Sequence, residues 1–283
     1  MRCSALAEEL DEPMIGTVDQ RSRWLLLEDR SAWGTDAVKD VLGAEFAREA
    51  RSLGLRPLLV RRREGDPAAD LLRRAILVDT ETREMATRTV EHPSELTASE
   101  LAGTPMAEFG APVHDPIFLV CTNGKRDACC AIRGRLLAAA MASRHADRTW
   151  ETTHLGGHRF AANLVCLPDG IVYGRVSPAD GPRLADAYLG GTVDAAHLRG
   201  RSAWPAAAQV AEQDVRLRHG LTGLDDVRLE GVAADGPRAS VTLVARGAVH
   251  SYELMAEGLP PSRLTSCRGD ELEEPLHWRV VAP

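Results

Sequence analysis

The sequence predicts a mixed α/β protein, in which buried strands and amphipathic helices follow one another along the chain. Short apolar runs bounded by Gly, Pro and Asp indicate strands, and apolar residues at helical spacing separate several of them. At 283 residues and 44% apolar content, the chain can fill a sizeable core. Aromatic residues make up 4% of the sequence, so we expect this core to consist mostly of Leu, Val and Ala.

Residues 1–110 predict an N-terminal α/β region. Apolar runs predict strands over residues 24–28, 57–60, 72–79 and 84–90. Between the first two, Val38, Val41, Leu42, Phe46 and Ala50 follow helical spacing and predict one helix over 36–53. This region contains no pattern of metal ligands or catalytic residues.

Residues 111–200 predict a second domain, which follows a Pro- and Gly-containing linker over 91–111. A buried strand over 116–120 ends at Cys121, and a helix over 131–143 leads to a strand over 149–153, which ends at His154. The turn Pro168-Asp169-Gly170 then predicts a hairpin. Strand, helix, strand and hairpin in this order are typical of a thioredoxin-like core.

Residues 201–283 predict a C-terminal α+β region. A helix is expected over 204–219, followed by strands over 227–233, 240–245, 250–255 and 276–281. No internal repeat is visible in the sequence.

Charge and composition exclude several classes of function. A net charge of −7 and a pI near 5.8 argue against a nucleic-acid-binding protein, which needs a basic face. The first residues do not resemble a signal peptide, and no apolar run approaches the roughly 20 residues that span a bilayer. We therefore expect a cytoplasmic protein without a membrane partner.

Cysteine and histidine are concentrated in the central region. Three of the six cysteines fall within residues 121–130, which in a reducing compartment points to metal or redox chemistry rather than to a disulfide framework. Cys121 and Cys130 form one pair of candidate ligands, with Cys129 as the alternative to Cys130, and His154 and His158 form the other.

The ligand spacing leaves three kinds of site open. The two imidazoles suit zinc, although the two cysteines are farther apart than in zinc fingers, so a structural Cys2His2 zinc domain is one alternative. Two thiolates with two imidazoles also suit a Rieske-type 2Fe-2S centre. A thiol–disulfide oxidoreductase using Cys129 and Cys130 is the third. Cys3, Cys166 and Cys267 are interpreted as isolated structural thiols.

Several motifs resemble the sucrase/ferredoxin-like family over roughly residues 20–220. They are Cys121-Thr-Asn-Gly-Lys-Arg-Asp-x-Cys-Cys, His154-Leu-Gly-Gly-His-Arg-Phe, Leu167-Pro-Asp-Gly, Trp24-Leu-Leu-Leu-Glu and Gly200-Arg-Ser-x-Trp-Pro. Asn123 stands where many relatives have His, at a position that is not a ligand in this interpretation.

The resemblance implies a thioredoxin-like ferredoxin domain with a 2Fe-2S cluster as cofactor. Carried over to this sequence, its ligands are Cys121, Cys130, His154 and His158. The expected function is one-electron transfer between soluble partners, as a carrier rather than as an enzyme. Because the sequence has no Gly-rich dinucleotide motif, we expect a separate flavin-dependent reductase to donate the electron.

Overall fold

The computed structural model describes residues 2–62, 72–268 and 272–283. The N-terminal elements are α1 (Cys3–Glu9), β1 (Arg23–Glu28), α2 (Ala37–Leu42), α3 (Ala44–Ser52), β2 (Leu55–Arg61), β3 (Arg73–Asp79), β4 (Glu84–Val90), α4 (Ala98–Gly103), α5 (Met106–Phe109) and β5 (Ala111–Pro112). The central elements are β6 (Ile117–Cys121), α6 (Ala128–His145), β7 (Thr149–Thr152), β8 (Leu164–Leu167), β9 (Ile171–Tyr173), α7 (Asp180–Leu189) and β10 (Leu198–Arg201). The C-terminal elements are α8 (Ala206–His219), β11 (Val227–Asp235), β12 (Arg238–Ala245), β13 (Ala248–Gly258), β14 (Arg263–Leu264), β15 (Leu272–Glu273) and β16 (Leu276–Ala282).

One ten-stranded mixed sheet joins the N-terminal and central regions, which confirms the α/β class. Its strand order is β10-β9-β8-β6-β7-β2-β1-β3-β4-β5. The two regions meet where β2 and β7 pair in antiparallel fashion, with Val60 opposite Thr152 and Arg61 opposite Glu151. The proposed boundary at residue 110 therefore lies within a continuous sheet and stays a prediction.

The same strand order occurs twice in this sheet. In the N-terminal unit, β1 pairs in parallel with β2, β3 lies antiparallel to β1, and β4 follows β3. In the central unit, β6 pairs in parallel with β7, β8 lies antiparallel to β6, and β9 follows β8. The order repeats although the sequence shows no repeat, because a strand needs a burial pattern and not a particular sequence.

Two helices differ from the sequence prediction. The single helix predicted over 36–53 is split into α2 and α3 at Gly43, whose φ of 91° lies in the region that favours glycine. The central helix α6 begins earlier than predicted, because the Asp127 side chain accepts a hydrogen bond from the Cys129 N–H at 2.9 Å. This N-cap satisfies one of the free N–H groups of the first turn. Cys129 and Cys130 are thereby placed on the helix.

Alternate residues of β6 pack into different hydrophobic cores. Phe118 and Val120 pack with the inner side of α6, whereas Leu119 and Cys121 face the opposite side. This period of two is that of strands buried on both faces. The elements that follow Cys121 therefore start from a rigid, fully packed strand.

The C-terminal region forms a second sheet in the order β11-β12-β13-β16, with α8 packed between the two sheets. A buried ion pair joins α8 to the large sheet, since Glu212 of α8 pairs with Arg201 of β10 at 2.8 Å. Glu212 also pairs with Arg216 within α8, at 3.0 Å. Over the part of the chain that the structure describes, no helix combines the length and apolar character needed to cross a bilayer.

Candidate metal centre

The ends of β6 and β7 bring two cysteines and a histidine together. Cys121 is the last residue of β6, Cys130 lies in the first turn of α6, and His154 follows β7. Because β6 and β7 are parallel neighbours, with Cys121 opposite Thr152, both strands end at the same edge of the sheet. One donor atom from each residue lies within 4.8 Å of the other two. Both thiols are 2% exposed, and the imidazole is partly exposed.

The two vicinal cysteines belong to different groups. Cys130 lies with Cys121 and His154, whereas the sulfur of Cys129 lies beside those of Cys3 and Cys267. Successive side chains on an α-helix diverge by about 100°, so the two sulfurs cannot serve one centre equally well. This geometry favours Cys130 over Cys129 as the partner of Cys121.

The structure places His158 next to the trio but not within it. Its ring centroid lies 5.1 Å from that of His154, and it opens the short 3-10 helix His158–Phe160. Among the described residues, Nδ1 of His154 and both ring nitrogens of His158 lie beyond hydrogen-bond distance of a partner, and Nε2 of His158 is 3.7 Å from Oδ2 of Asp127. Buried polar atoms are almost always paired, so these nitrogens fit the ligands of a metal centre. Burial also lowers the pKa of His158, and the Asp127 carboxylate partly offsets this effect. The lowered pKa favours the neutral imidazole, which is the form that binds metals.

The pKa values of the two thiols of the trio shift in opposite directions. A hydrogen bond from Cys130 lowers the pKa of Cys121 well below its ordinary value, and His154 and the Leu155 backbone N–H contribute in the same direction. The same hydrogen bond, together with burial, raises the pKa of Cys130. A thiolate is the form of cysteine that binds metals. Cys121 therefore favours the metal-binding form, whereas Cys130 would lose its proton when it binds a cation.

Two guanidinium groups lie beneath the loop that carries the histidines, one of them buried (Arg199) and the other partly buried (Arg56). Arg199 donates to Asn163 Oδ1 at 2.9 Å, to the Thr17 carbonyl at 2.9 Å and to the Gly156 carbonyl at 3.4 Å. Burial lowers its pKa to about 9, so it stays charged at neutral pH. Arg56 donates to the Leu155 carbonyl and lies 4.8 Å above the Trp24 ring. Both positive charges are available to balance an anionic centre.

Gly157 is required where the loop crosses Arg199. Its φ of 63° lies in the left-handed region, and a Cβ at this position would clash with the Arg199 guanidinium. This close approach fixes the Arg199 guanidinium beside the backbone that leads into His158.

The chain was compared with known proteins on this basis. A family model described as sucrase/ferredoxin-like matches residues 14–200. The chain belongs to the sucrase/ferredoxin-like family. The predicted membership is therefore confirmed, and all four candidate ligands lie within the matched residues of the family model.

A curated relative of this sucrase/ferredoxin-like chain comes from the yeast Meyerozyma guilliermondii. It is called altered inheritance of mitochondria protein 32, and it is 34% identical over 88 residues, which cover 27% of this chain and 31% of the yeast protein. The match thus spans about a third of the length of that relative. No solved structure matches the chain.

A pocket of about 430 Å³ opens beside His154 in this sucrase/ferredoxin-like chain. Basic side chains dominate its charged lining, although two acidic ones also contribute. The charged lining residues are Arg21, Lys39, Arg51, Arg56, Arg126, Asp19 and Asp36. His154 is the candidate ligand that lines the pocket, and neither Cys121 nor Cys130 does. The pocket therefore exposes the imidazole side of the trio to solvent.

A second group of donors was not predicted. Cys3, Cys129, Cys267 and Asp127 each offer a donor atom within 4.8 Å of the others. The interpretation of Cys3 and Cys267 as isolated thiols is wrong, because α1 and the segment after β14 both fold over the start of α6. No local signal could reveal this, since Cys3 and Cys129 are 126 residues apart, and Cys3 and Cys267 are 264 apart. Cys166, by contrast, belongs to neither group of donors and packs among apolar residues on the α6 side of the sheet.

Hydrogen bonds within this second group favour one thiolate there as well. The hydrogen bond between Cys3 and Cys129 lowers the pKa of Cys129 to about 5, with Ser4 and Cys267 contributing. The same contact, aided by burial, raises the pKa of Cys3.

Proposed function

We propose that the chain is a one-electron carrier whose cofactor is a 2Fe-2S cluster held by Cys121, Cys130, His154 and His158. The observation that carries the proposal is the convergence of three of these donors within 4.8 Å, beside a second imidazole whose nitrogens lie beyond hydrogen-bond distance of a partner among the described residues. Two thiolates and two imidazoles form the donor set of Rieske-type centres.

The strand order supports a thioredoxin-like core for the central unit. A parallel pair joined by a helix, β6-α6-β7, is followed by the antiparallel hairpin β8-β9, and the sheet order is β9-β8-β6-β7. In this interpretation the three donors of the trio lie at the carboxyl ends of the parallel strands and at the start of the following helix. Open α/β sheets commonly bind their ligands at this edge.

Residues around the centre are suited to holding an added electron. When bound, the cluster would supply one-electron chemistry at a potential that depends on its ligands. Two thiolates and two neutral imidazoles leave a 2Fe-2S centre uncharged when oxidised and with one negative charge when reduced. The buried Arg199 and the partly buried Arg56 beneath the loop favour that negative charge by Coulomb attraction in a poorly solvated environment.

The pocket beside His154 is the proposed contact surface for the electron donor. Lys39, Arg51 and Arg126 contribute positive charge to its lining. A soluble, flavin-dependent reductase with an acidic contact surface would fit this pattern, because opposite charges accelerate encounter. His154 would then lie between the partner and the buried sulfurs.

Two other functions use parts of the same site. A structural zinc ion could take the same four donors, since His-x3-His spacing suits zinc. A thiol–disulfide oxidoreductase would need Cys129 and Cys130 to act as a pair, but their sulfurs lie in different donor groups.

The visible absorption spectrum of anaerobically purified protein tests the proposal, together with iron and acid-labile sulfide per chain. A brown protein with about two iron and two sulfide ions supports the carrier. A colourless protein with one zinc ion lost in Cys121→Ala supports the zinc domain, and a colourless, metal-free protein supports the thiol oxidoreductase. Cys166→Ala is the matched control, since it removes a buried thiol from neither group.

A further inference from the structure

We propose that Cys3, Cys129, Cys267 and Asp127 form a second metal site, which binds a thiophilic cation such as Zn²⁺. The site uses other donors than the group of Cys121, Cys130, His154 and His158, although Oδ2 of Asp127 lies 3.7 Å from Nε2 of His158. The proposal does not depend on the function proposed for that first group. It joins the N-terminal helix α1, the start of α6 and the segment that follows β14.

The three sulfurs form a nearly regular triangle. Sγ–Sγ distances are 3.6 Å between Cys3 and Cys129, 3.4 Å between Cys3 and Cys267, and 3.3 Å between Cys129 and Cys267. Zinc–thiolate bonds of about 2.3 Å in tetrahedral geometry place sulfurs about 3.8 Å apart. A small expansion of the triangle would therefore accept the ion.

A disulfide fits the triangle less well. The two sulfurs of a disulfide lie about 2.0 Å apart, so any pair would have to move much farther than the metal requires. A single disulfide would also leave the third thiol without a role. Three converging sulfurs are explained by one shared cation.

Asp127 supplies the fourth donor. Its Oδ1 accepts a hydrogen bond from the Cys129 N–H at 2.9 Å, and its Oδ2 accepts one from the Cys267 N–H at 3.1 Å. The carboxylate is therefore fixed toward the triangle, and each oxygen keeps a further lone pair. Carboxylate oxygen is an established zinc ligand beside cysteine and histidine.

Simple packing of small thiols does not account for this arrangement. These three sulfurs lie 3.3–3.6 Å from one another and within 4.8 Å of an oxygen of a carboxylate that is 1% exposed, whereas a cysteine that acts only as an apolar residue needs no such neighbours. A buried carboxylate is costly unless a cation or hydrogen bonds balance its charge.

The two outer segments are held in place by contacts that do not involve the thiols. Glu12, which follows α1, pairs with Arg159 at 2.7 Å and with Arg263 of β14 at 3.0 Å. Arg133 of α6 also donates to Glu8 of α1, with one contact at 2.9 Å. These ion pairs preorganise the site, and the partly exposed Cys267 offers a route for the ion.

The test is to supply Zn²⁺ to the purified, reduced full-length chain, remove unbound metal, and measure zinc and iron per chain in the same sample. We expect about one zinc ion in the wild type, in Cys166→Ala and in Cys121→Ala, and a loss of that zinc in Cys3→Ser and Cys267→Ser. Ser266→Ala is the matched control in the C-terminal segment. Circular dichroism shows whether each variant is folded.

Co²⁺ provides the second measurement. A charge-transfer band in the near ultraviolet reports thiolate–Co²⁺ bonds. We expect this band in Cys121→Ala, and we expect its loss when Cys267→Ser is added to Cys121→Ala. Unchanged zinc in folded Cys3→Ser and Cys267→Ser would overturn the proposal. So would zinc that is lost in Cys121→Ala and kept in Cys267→Ser, or a disulfide among the three cysteines found by mass spectrometry of anaerobically alkylated protein.

Discussion

The N-terminal unit β1–β4 and the central unit β6–β9 share one strand order and differ at the edge where their parallel strands end. In the N-terminal unit, Asp29 follows β1 and accepts hydrogen bonds from Arg73 at 2.7 Å and from Trp33 at 3.1 Å. In the central unit, the corresponding edge carries Cys121 and His154. The same backbone thus supports an internally satisfied ion pair in one unit and unsatisfied donors in the other.

The comparison shows that strand order provides an edge at which a site can form, but does not determine which side chains stand there. In the N-terminal unit, the polar groups at this edge satisfy one another, as structural groups do. In the central unit, nitrogen atoms of His154 and His158 lack partners among the described residues. Unsatisfied donors, rather than strand order, mark the functional unit.

The sharpest test of this contrast compares Cys121→Ala with Asp29→Ala. Under the proposed function, Cys121→Ala should abolish iron binding, because it removes a ligand. Asp29→Ala should keep the iron and lower the free energy of unfolding by about 1–3 kcal/mol, because buried donors lose their acceptor. Iron analysis and urea unfolding measure both effects. Equal loss of iron in the two variants would contradict the division of roles.

A ligand exchange should change the potential without removing the centre. His154→Cys replaces a neutral imidazole by a thiolate, which favours the oxidised state. The reduction potential should fall by on the order of 100 mV or more, since His-ligated centres lie well above all-Cys ferredoxins. Redox titration of the purified protein measures the shift. An unchanged potential in a variant with intact 2Fe-2S content would exclude His154 as a ligand.

Glycines with positive φ in the two units should respond differently to alanine. Gly157→Ala adds a Cβ against Arg199, whereas Gly54→Ala, at a φ of 74°, meets nothing within 4 Å. Backbone strain of about 1 kcal/mol is common to both variants. We expect Gly157→Ala to be less stable than Gly54→Ala and to lose part of its iron. Similar unfolding midpoints and iron contents would show that the contact with Arg199 is unimportant.

The smallest expected effect concerns α1 and pH. Hydrogen bonding to Arg133 lowers the folded-state pKa of Glu8, so the unfolded state binds more protons in the acidic range. The stabilisation is present above the unfolded pKa of Glu8 and is lost as pH falls through the lower, folded value. Because the pair is partly exposed, we expect less than about 1 kcal/mol. Comparing wild type with Glu8→Gln by thermal unfolding from neutral to acidic pH should show the difference shrinking in acid. A difference that is constant with pH would exclude this ion pair as its cause.

Local patterns explain what the sequence could predict. The strands of both units are short apolar runs, and the pairs Cys121/Cys130 and His154/His158 are each close in sequence. The start of α6 was missed because its first turn contains Ala128, Cys129 and Cys130 after a polar loop, and the Asp127 cap becomes evident from its hydrogen bond.

Contacts between distant segments explain what the sequence could not predict. Cys3 and Cys267 meet because α1 and the C-terminal segment pack on α6, and no periodicity encodes this meeting. The repeated strand order is likewise a property of pairing between strands, which very different apolar sequences can satisfy.

The separation of Cys3 from Cys267 also sets an order of events during synthesis. Cys267 lies 264 positions after Cys3. At about 5–20 residues added per second, it is synthesised roughly 10–50 s after Cys3. The four proposed cluster ligands are all translated within that interval. The backbone of Thr265, which faces His158, arrives only with the final segment. A nascent chain could therefore receive the proposed cluster before the C-terminal segment is synthesised and packs beside His158.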